Sequence, residues 1–139
     1  MTLVVDASVA VKWVLEEPGV EIAAKLLPRS MIAPELFQAE VGHVLSKSVR
    51  GKIMSPLQAR TGFERILRRV TLVRIATFGP AALLLSLELR HAIYDCYYLV
   101  AAEMTGRPLV TADALFVRKL RESGRGRLVY LLGEEVPDD

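Results

Sequence analysis

Cysteine occurs once in this 139-residue sequence, at Cys96, and histidine twice, at His43 and His91. A single thiol excludes an internal disulfide framework and a multi-cysteine zinc site. With no Cys/His cluster, tetrahedral zinc chemistry has no support either. Asparagine is absent and glutamine occurs only at Gln38 and Gln58. No uncharged apolar run reaches the ~18–20 residues that a membrane span needs. The longest, "IATFGPAALLLSL", is broken by Gly79-Pro80. No charged segment followed by an apolar one opens the chain, so no secretory signal is expected. Repeats, low-complexity tracts and Ser/Gly linkers are also missing. These absences point to a cytoplasmic protein with no membrane association, folded as one domain over residues 1–139.

What is present suits a packed core. Hydrophobic residues make up 52% of the chain and charged residues 24%, as in ordinary globular proteins. The formal net charge is +2. Arginines gather at positions 60, 65, 68, 69 and 74, and basic residues again from Arg118 to Arg127. Such faces serve equally as solvated helix surfaces and as contacts for an anionic partner.

Strand and helix patterns alternate along the chain. Val4-Val5 opens a strand. "SVAVKWVLEE" has helical spacing and is punctuated by Pro18-Gly19. "VEIAAKLL" reads as a second helix and "SMIAP" as a strand. "ELFQAEVGHVLSKSVR" is a strongly periodic helix stopped at Gly51. "SPLQARTGFERILRR" starts with Ser55 as N-cap and Pro56 in the first turn. "TLVRI" is a strand, "GPAALLLSLELRH" a helix, and "DCYYLVAAEMTG" a helix ending before Gly106. "PLVT", "ADALFVRKLRESG" and "RLVYLL" complete the series as strand, helix and strand. Alternation of this kind implies an α/β fold with a parallel sheet covered on both faces. Ligand sites in such sheets lie at the carboxyl ends of the strands.

Four acids fall in unusual places. Asp6 ends the first strand and Asp113 follows "PLVT", so both belong at that edge. Asp95 opens an apolar helix and is read as a third junction residue. Each aspartate alone also suits a helix N-cap. Glu40 shares a helix face with Leu36, Phe37, Val41, Val44 and Leu45, and a carboxylate in such a stripe needs a pairing partner or a cation. If the four converge, their like charges raise one another's pKa values, and a hard divalent cation relieves this. The chemistry would then be metal-assisted phosphodiester hydrolysis.

Four segments together resemble the PIN-domain ribonucleases, and among them the VapC-type toxins of toxin–antitoxin modules. "VVDASVAVKW", "PELFQAEVGHVL", "IYDCYYLVAAE" and "LVTADALF" look like the family's four motifs, in family order, and the likeness spans essentially the whole chain. The resemblance implies a three-layer α/β/α sandwich around a short parallel β-sheet. It implies a magnesium-dependent endoribonuclease, with manganese as a substitute ion. Asp6 and Asp95 would be direct metal ligands, and Glu40 and Asp113 ligands directly or through water. Ser8 and Thr111 would support them by hydrogen bonds. RNA would be the substrate, a cognate antitoxin protein the partner, and a homodimer the assembly. The chain departs from the pattern at Gly42-His43, where many relatives carry asparagine. It departs again at Ala114-Leu115-Phe116, where some relatives supply a further acid, so ligands for a second metal are fewer.

Other roles stay open at this level. Tyr94, Tyr97 and Tyr98 are either stacking surfaces for bases or packing residues. Lys12 is either a phosphate contact or a surface residue, and Cys96 reads as a small core residue. An aspartyl-phosphate phosphatase also places an Asp after its first strand, but needs a second acid two residues on, where this chain has Ser8. A non-catalytic domain that binds RNA or a partner is the remaining alternative.

Overall fold

The computed structural model describes residues 2–138. Leu3–Val5 (β1) is wholly apolar and fully buried, so it occupies the middle of the sheet. The other strands are Met31–Pro34 (β2), Val70–Val73 (β3), Leu109–Thr111 (β4) and Val129–Leu131 (β5). They form a five-stranded sheet in the order β3-β2-β1-β4-β5, with every pairing parallel. The chain therefore builds outward from β1 to one side, then returns to build on the other. The C-terminal ends of β1 and β4 form the topological switch point, where open α/β sheets keep their ligand crevice. Their register, Val4 to Leu109 and Val5 to Val110, sets Asp6 beside the end of β4. The Asp6 amide donates to the Val110 carbonyl at 3.0 Å.

The helices are Ala7–Ala10 (α1), Val20–Ala24 (α2), Leu36–Arg50 (α3), Pro56–Arg69 (α4), Gly79–Leu89 (α5), Ile93–Thr105 (α6) and Ala114–Glu122 (α7). They flank the sheet, giving the expected three-layer α/β/α arrangement. Helix α6 packs against β1, β2 and β4. That contact buries Cys96 and the run from Tyr98 to Ala102, and it explains why this helix is apolar nearly all round. Gly106, at φ +66°, ends it in the left-handed conformation that glycine adopts without strain. Helix α4 starts with a capping box. Gln58 N–H donates to Ser55 Oγ, and the Gln58 side chain accepts from Ser55 N–H.

Three local expectations change. The helix expected over "SVAVKWVLEE" is only α1 plus a 3-10 turn at Val11–Trp13. Its closely spaced valines are poor helix formers, and Pro18 follows. Helix α2 stops at Ala24, short of the expected Leu27, ahead of Pro28. Helix α5 stops at Leu89 because Arg90 takes a left-handed conformation, φ 50°. That turn removes His91 from the helix. Ser86 holds it, its hydroxyl donating to the His91 carbonyl at 2.6 Å.

Candidate metal centre

Asp6 sits where β1 passes into α1. It caps that helix, accepting from the Ser8 amide at 3.1 Å. The Ser8 hydroxyl donates to the same oxygen, Oδ2, and so does Thr111 Oγ1 at 3.3 Å. Among the described residues no buried side-chain oxygen lacks a partner. Oδ1, which takes none of these bonds, is therefore the oxygen open to the crevice. Cap and candidate ligand are thus one residue using two oxygens.

Ser8 and Thr111 also stitch the β4 side to the β1 side. The Ala112 amide donates to Ser8 Oγ, and the Asp113 amide to Thr111 Oγ1, both at 3.1 Å. Asp113 in turn caps α7, accepting from the Phe116 amide at 3.1 Å. Asp95 differs from the expectation. It lies in the first turn of α6, whose N-cap is Ala92, and α6 follows a helix rather than a strand. Only Asp6 and Asp113 occupy strand-to-helix junctions. Asp95 reaches the same crevice because α6 crosses over β1 and β4.

Glu40 lies on the face of α3 that carries buried Phe37, Val41 and Leu45. Its partner is the Tyr98 hydroxyl, which donates to Oε1 at 2.7 Å. No arginine pairs with it among the described residues.

The electrostatics show that these acids share one neighbourhood. Burial pushes the Asp6 carboxyl up to about 6, and the Asp95 charge adds to the rise, against the pull of Ser8. Burial pushes Glu40 up to about 7, with Asp6 and Asp95 contributing, while the Tyr98 hydrogen bond opposes it. Asp95 is also raised, first by burial and then by Asp113, with His91 acting the other way. Among the described residues no lysine or arginine forms an ion pair with any of the four. An oxygen-only set of mutually repelling carboxylates suits a hard, octahedral cation such as Mg2+ or Mn2+.

His91 is the functional neighbour that the sequence reading missed. Its Nε2 lies 2.6 Å from Asp95 Oδ2 and 3.9 Å from Asp113 Oδ2. The usable signal was its place four residues before Asp95, although His91 itself lies in the turn between α5 and α6. His43, by contrast, lies on the exposed face of α3. Lys12 points elsewhere: it pairs with Glu17 at 3.0 Å and donates to the Pro18 carbonyl. Tyr98 is buried, Tyr97 half-buried and Tyr94 exposed, so only Tyr94 is fully open for stacking. Cys96 is buried and its thiol is pushed up to about 11, chiefly by burial, as suits a core residue.

Two further surfaces lie outside this crevice, one of mixed polar and apolar lining and one apolar. A groove of about 750 Å³ runs between Trp13–Glu16 and the α3–α4 turn, with Ile53 and Leu57 exposed along it. Helix α5 turns Leu83, Leu84 and Leu87 to solvent. No helix among the described residues is long and apolar enough to cross a membrane.

The sequence matches the model of the PIN domain over residues 3–121. Ribonuclease VapC1 of Mycobacterium tuberculosis is 30% identical over 115 residues, covering 80% of this chain and 85% of that protein. Three solved structures share the architecture. PAE2754 from Pyrobaculum aerophilum superposes with a TM-score of 0.69 at 22% identity, over 86% of this chain and 79% of that one. A toxin–antitoxin complex from Klebsiella pneumoniae gives 0.66 at 13% identity, over 96% and 99%. VapBC2 from Rickettsia felis, bound to a DNA fragment from their promoter, gives 0.67 at 16% identity, over 94% and 98%. At these identities the structural likeness is one of fold.

Proposed function

Because the chain belongs to the PIN domain family, we propose that it is a magnesium-dependent endoribonuclease of the VapC type, the toxin of a toxin–antitoxin pair. The observation that carries this reading is the convergence of Asp6, Glu40, Asp95 and Asp113 on the crevice at the ends of β1 and β4. Burial and mutual repulsion raise the carboxyl pKa values of three of them.

Asp6 and Asp95 would hold the cation, each through the oxygen not already tied to a protein donor. Glu40 and Asp113 would complete the acidic set, directly or through water. Ser8 and Thr111 keep Asp6 from rotating, since both donate to its Oδ2. A divalent cation supplies, when bound, Lewis-acid polarisation of a phosphodiester and a more acidic water. The residues' own contribution is to fix geometry. Both junction aspartates are locked as helix caps, and Glu40 is clamped by Tyr98. In the metal-free protein Glu40 is pushed up to about 7, chiefly by burial.

The relatives support the remaining roles. One is named a ribonuclease, and two of the solved structures are complexes of toxin–antitoxin type. An antitoxin segment would find apolar anchors at Trp13, Ile53 and Leu57 and polar ones at Glu16 and Arg65 in the groove beside the α3–α4 turn. The exposed leucines of α5 suit the contact between two copies in a homodimer.

The test is cleavage of single-stranded RNA by the purified protein. Cleavage is expected with Mg2+ or Mn2+ and is lost on adding EDTA, in Asp6→Asn and in Asp95→Asn. Undiminished cleavage in EDTA or by either variant would overturn the proposal.

A further inference from the structure

His91, Asp95 and Asp113 each bring one ligand-type atom to within 4.8 Å of the others. By composition this trio suits a borderline cation, such as zinc or cobalt, bound through the imidazole. The surroundings of His91 argue against that use. Lys119 Nζ, from α7, lies 3.2 Å from His91 Nδ1 and donates to the Arg90 carbonyl at 2.9 Å. An ammonium offers three donors and no acceptor. Nδ1 therefore meets it with a lone pair, and the ring proton resides on Nε2. From there it is donated to Asp95 Oδ2 across 2.6 Å. An Nε2 that carries a proton has no lone pair for a metal.

The ring is also held in place. It stacks on Phe116, with centroids 4.7 Å apart and planes inclined by 26°. Its backbone is pinned by the Ser86 hydroxyl, beside the left-handed turn at Arg90.

We infer that Lys119 sets the tautomer of His91, which makes His91 a positioning residue for Asp95 and keeps nitrogen out of the cation site. The site then remains all-oxygen and favours hard cations over zinc. His91 ties back one oxygen of Asp95 and leaves the other for the cation. This inference rests on the reading of Asp95 as a cation ligand. Without Lys119, Nδ1 can take the proton and Nε2 can turn its lone pair to the crevice.

Two measurements on the full chain test it. Long-range 1H–15N spectra of the metal-free protein at pH 8 should show His91 protonated at Nε2 and bare at Nδ1, with exposed His43 as the internal reference. The opposite tautomer would overturn the inference. This measurement needs neither metal nor nuclease activity, so it fails or succeeds independently of the ribonuclease reading. The second measurement is the affinity for Zn2+ and Mn2+, by competition with a chromophoric chelator. Lys119→Met should raise zinc affinity about tenfold, the scale on which groups behind a ligand tune metal sites, and leave manganese affinity unchanged. Lys119→Arg, which keeps a charged donor, should behave as the parent. Adding His91→Gln to Lys119→Met should remove the gain. Unchanged zinc affinity in Lys119→Met, or a gain that survives His91→Gln, would overturn the inference.

Discussion

The Tyr98 hydroxyl donates to Glu40 Oε1 at 2.7 Å, joining α6 to α3 across 58 positions of sequence. Tyr98 is fully buried and Glu40 half-buried, so the bond lies at the inner wall of the crevice. It accounts for a carboxylate on an otherwise apolar stripe. A phenol satisfies one oxygen without neutralising the charge, as an arginine would. Glu40 is therefore left unpaired by any cation among the described residues, and burial raises its pKa to about 7 against the pull of the Tyr98 bond.

Tyr98→Phe should remove that donor, and with it the acceptor that the hydroxyl offers to the Ala7 amide, while the ring stays packed in the core. Loss of one hydrogen bond to an ionised group is worth about 1.5–3 kcal/mol. The loss should be full at pH 8, where Glu40 is charged, and much smaller at pH 5, where it is protonated. Urea denaturation at the two pH values measures it. Equal losses at both would mean that the bond does not depend on the charge of Glu40.

The metal-free protein should lose stability as pH rises from about 4 to about 7. Asp6 and Glu40 titrate near 6 and 7 in the folded state, against ordinary values of 3.8 and 4.5. Within that window the folded chain holds protons that the unfolded chain has released, so rising pH favours unfolding. The Arg121–Glu134 pair works the other way, because the arginine holds the Glu134 carboxyl below its usual value. Its contribution is lost only as the pH falls below the ordinary glutamate range. Melting temperatures in EDTA across pH 4.5–8 check the sign. A curve that rises toward pH 8 would contradict the placement of these two acids.

The order of elements was legible because each strand is a short apolar run and each helix carries its own start or stop signal. Ser55-Pro56, Gly51 and Gly106 mark boundaries that the structure respects. Where the reading failed, a non-local contact or a conformational exception decided. Arg90 takes a left-handed turn that no residue preference announces, and so the helix through His91 was read two residues too long. That error hid the contact between His91 and Asp95. The four acids were visible as candidates because two follow strands, one opens an apolar helix and one interrupts an apolar stripe. Their partners were not, since Tyr98 meets Glu40, and Thr111 meets Asp6, only through tertiary packing.

Thr111→Val preserves the β-branched shape of a strand residue that is 2% exposed, but deletes its hydroxyl. That hydroxyl accepts from the Asp113 amide and donates to Asp6. The part-buried Asp113 amide is left unsatisfied, which costs about 1–3 kcal/mol, while Asp6 Oδ2 loses one of three donors and keeps the two from Ser8. The expected result is a lower melting temperature and weaker Mn2+ binding, both restored in Thr111→Ser. If Thr111→Val binds Mn2+ as tightly as the parent, the hydroxyl has no part in setting Asp6.

Asp6→Asn should have opposite effects with and without metal. Asparagine caps a helix about as well as aspartate and still accepts from Ser8 and Thr111, so local structure is kept. It removes one charge from a buried, mutually repelling group whose carboxyl is pushed up to about 6. At pH 8 in EDTA the relief is about 2–3 kcal/mol as an upper bound, from ~1.4 kcal/mol per pKa unit. The variant should therefore melt several degrees higher than the parent in EDTA. With Mn2+ the order should reverse, because the parent gains from ligation and the variant has lost a ligand oxygen's charge. Thermal melts of both proteins, with and without the ion, decide it. A variant that is destabilised in EDTA and still shows the parent's manganese shift would place the cation away from Asp6.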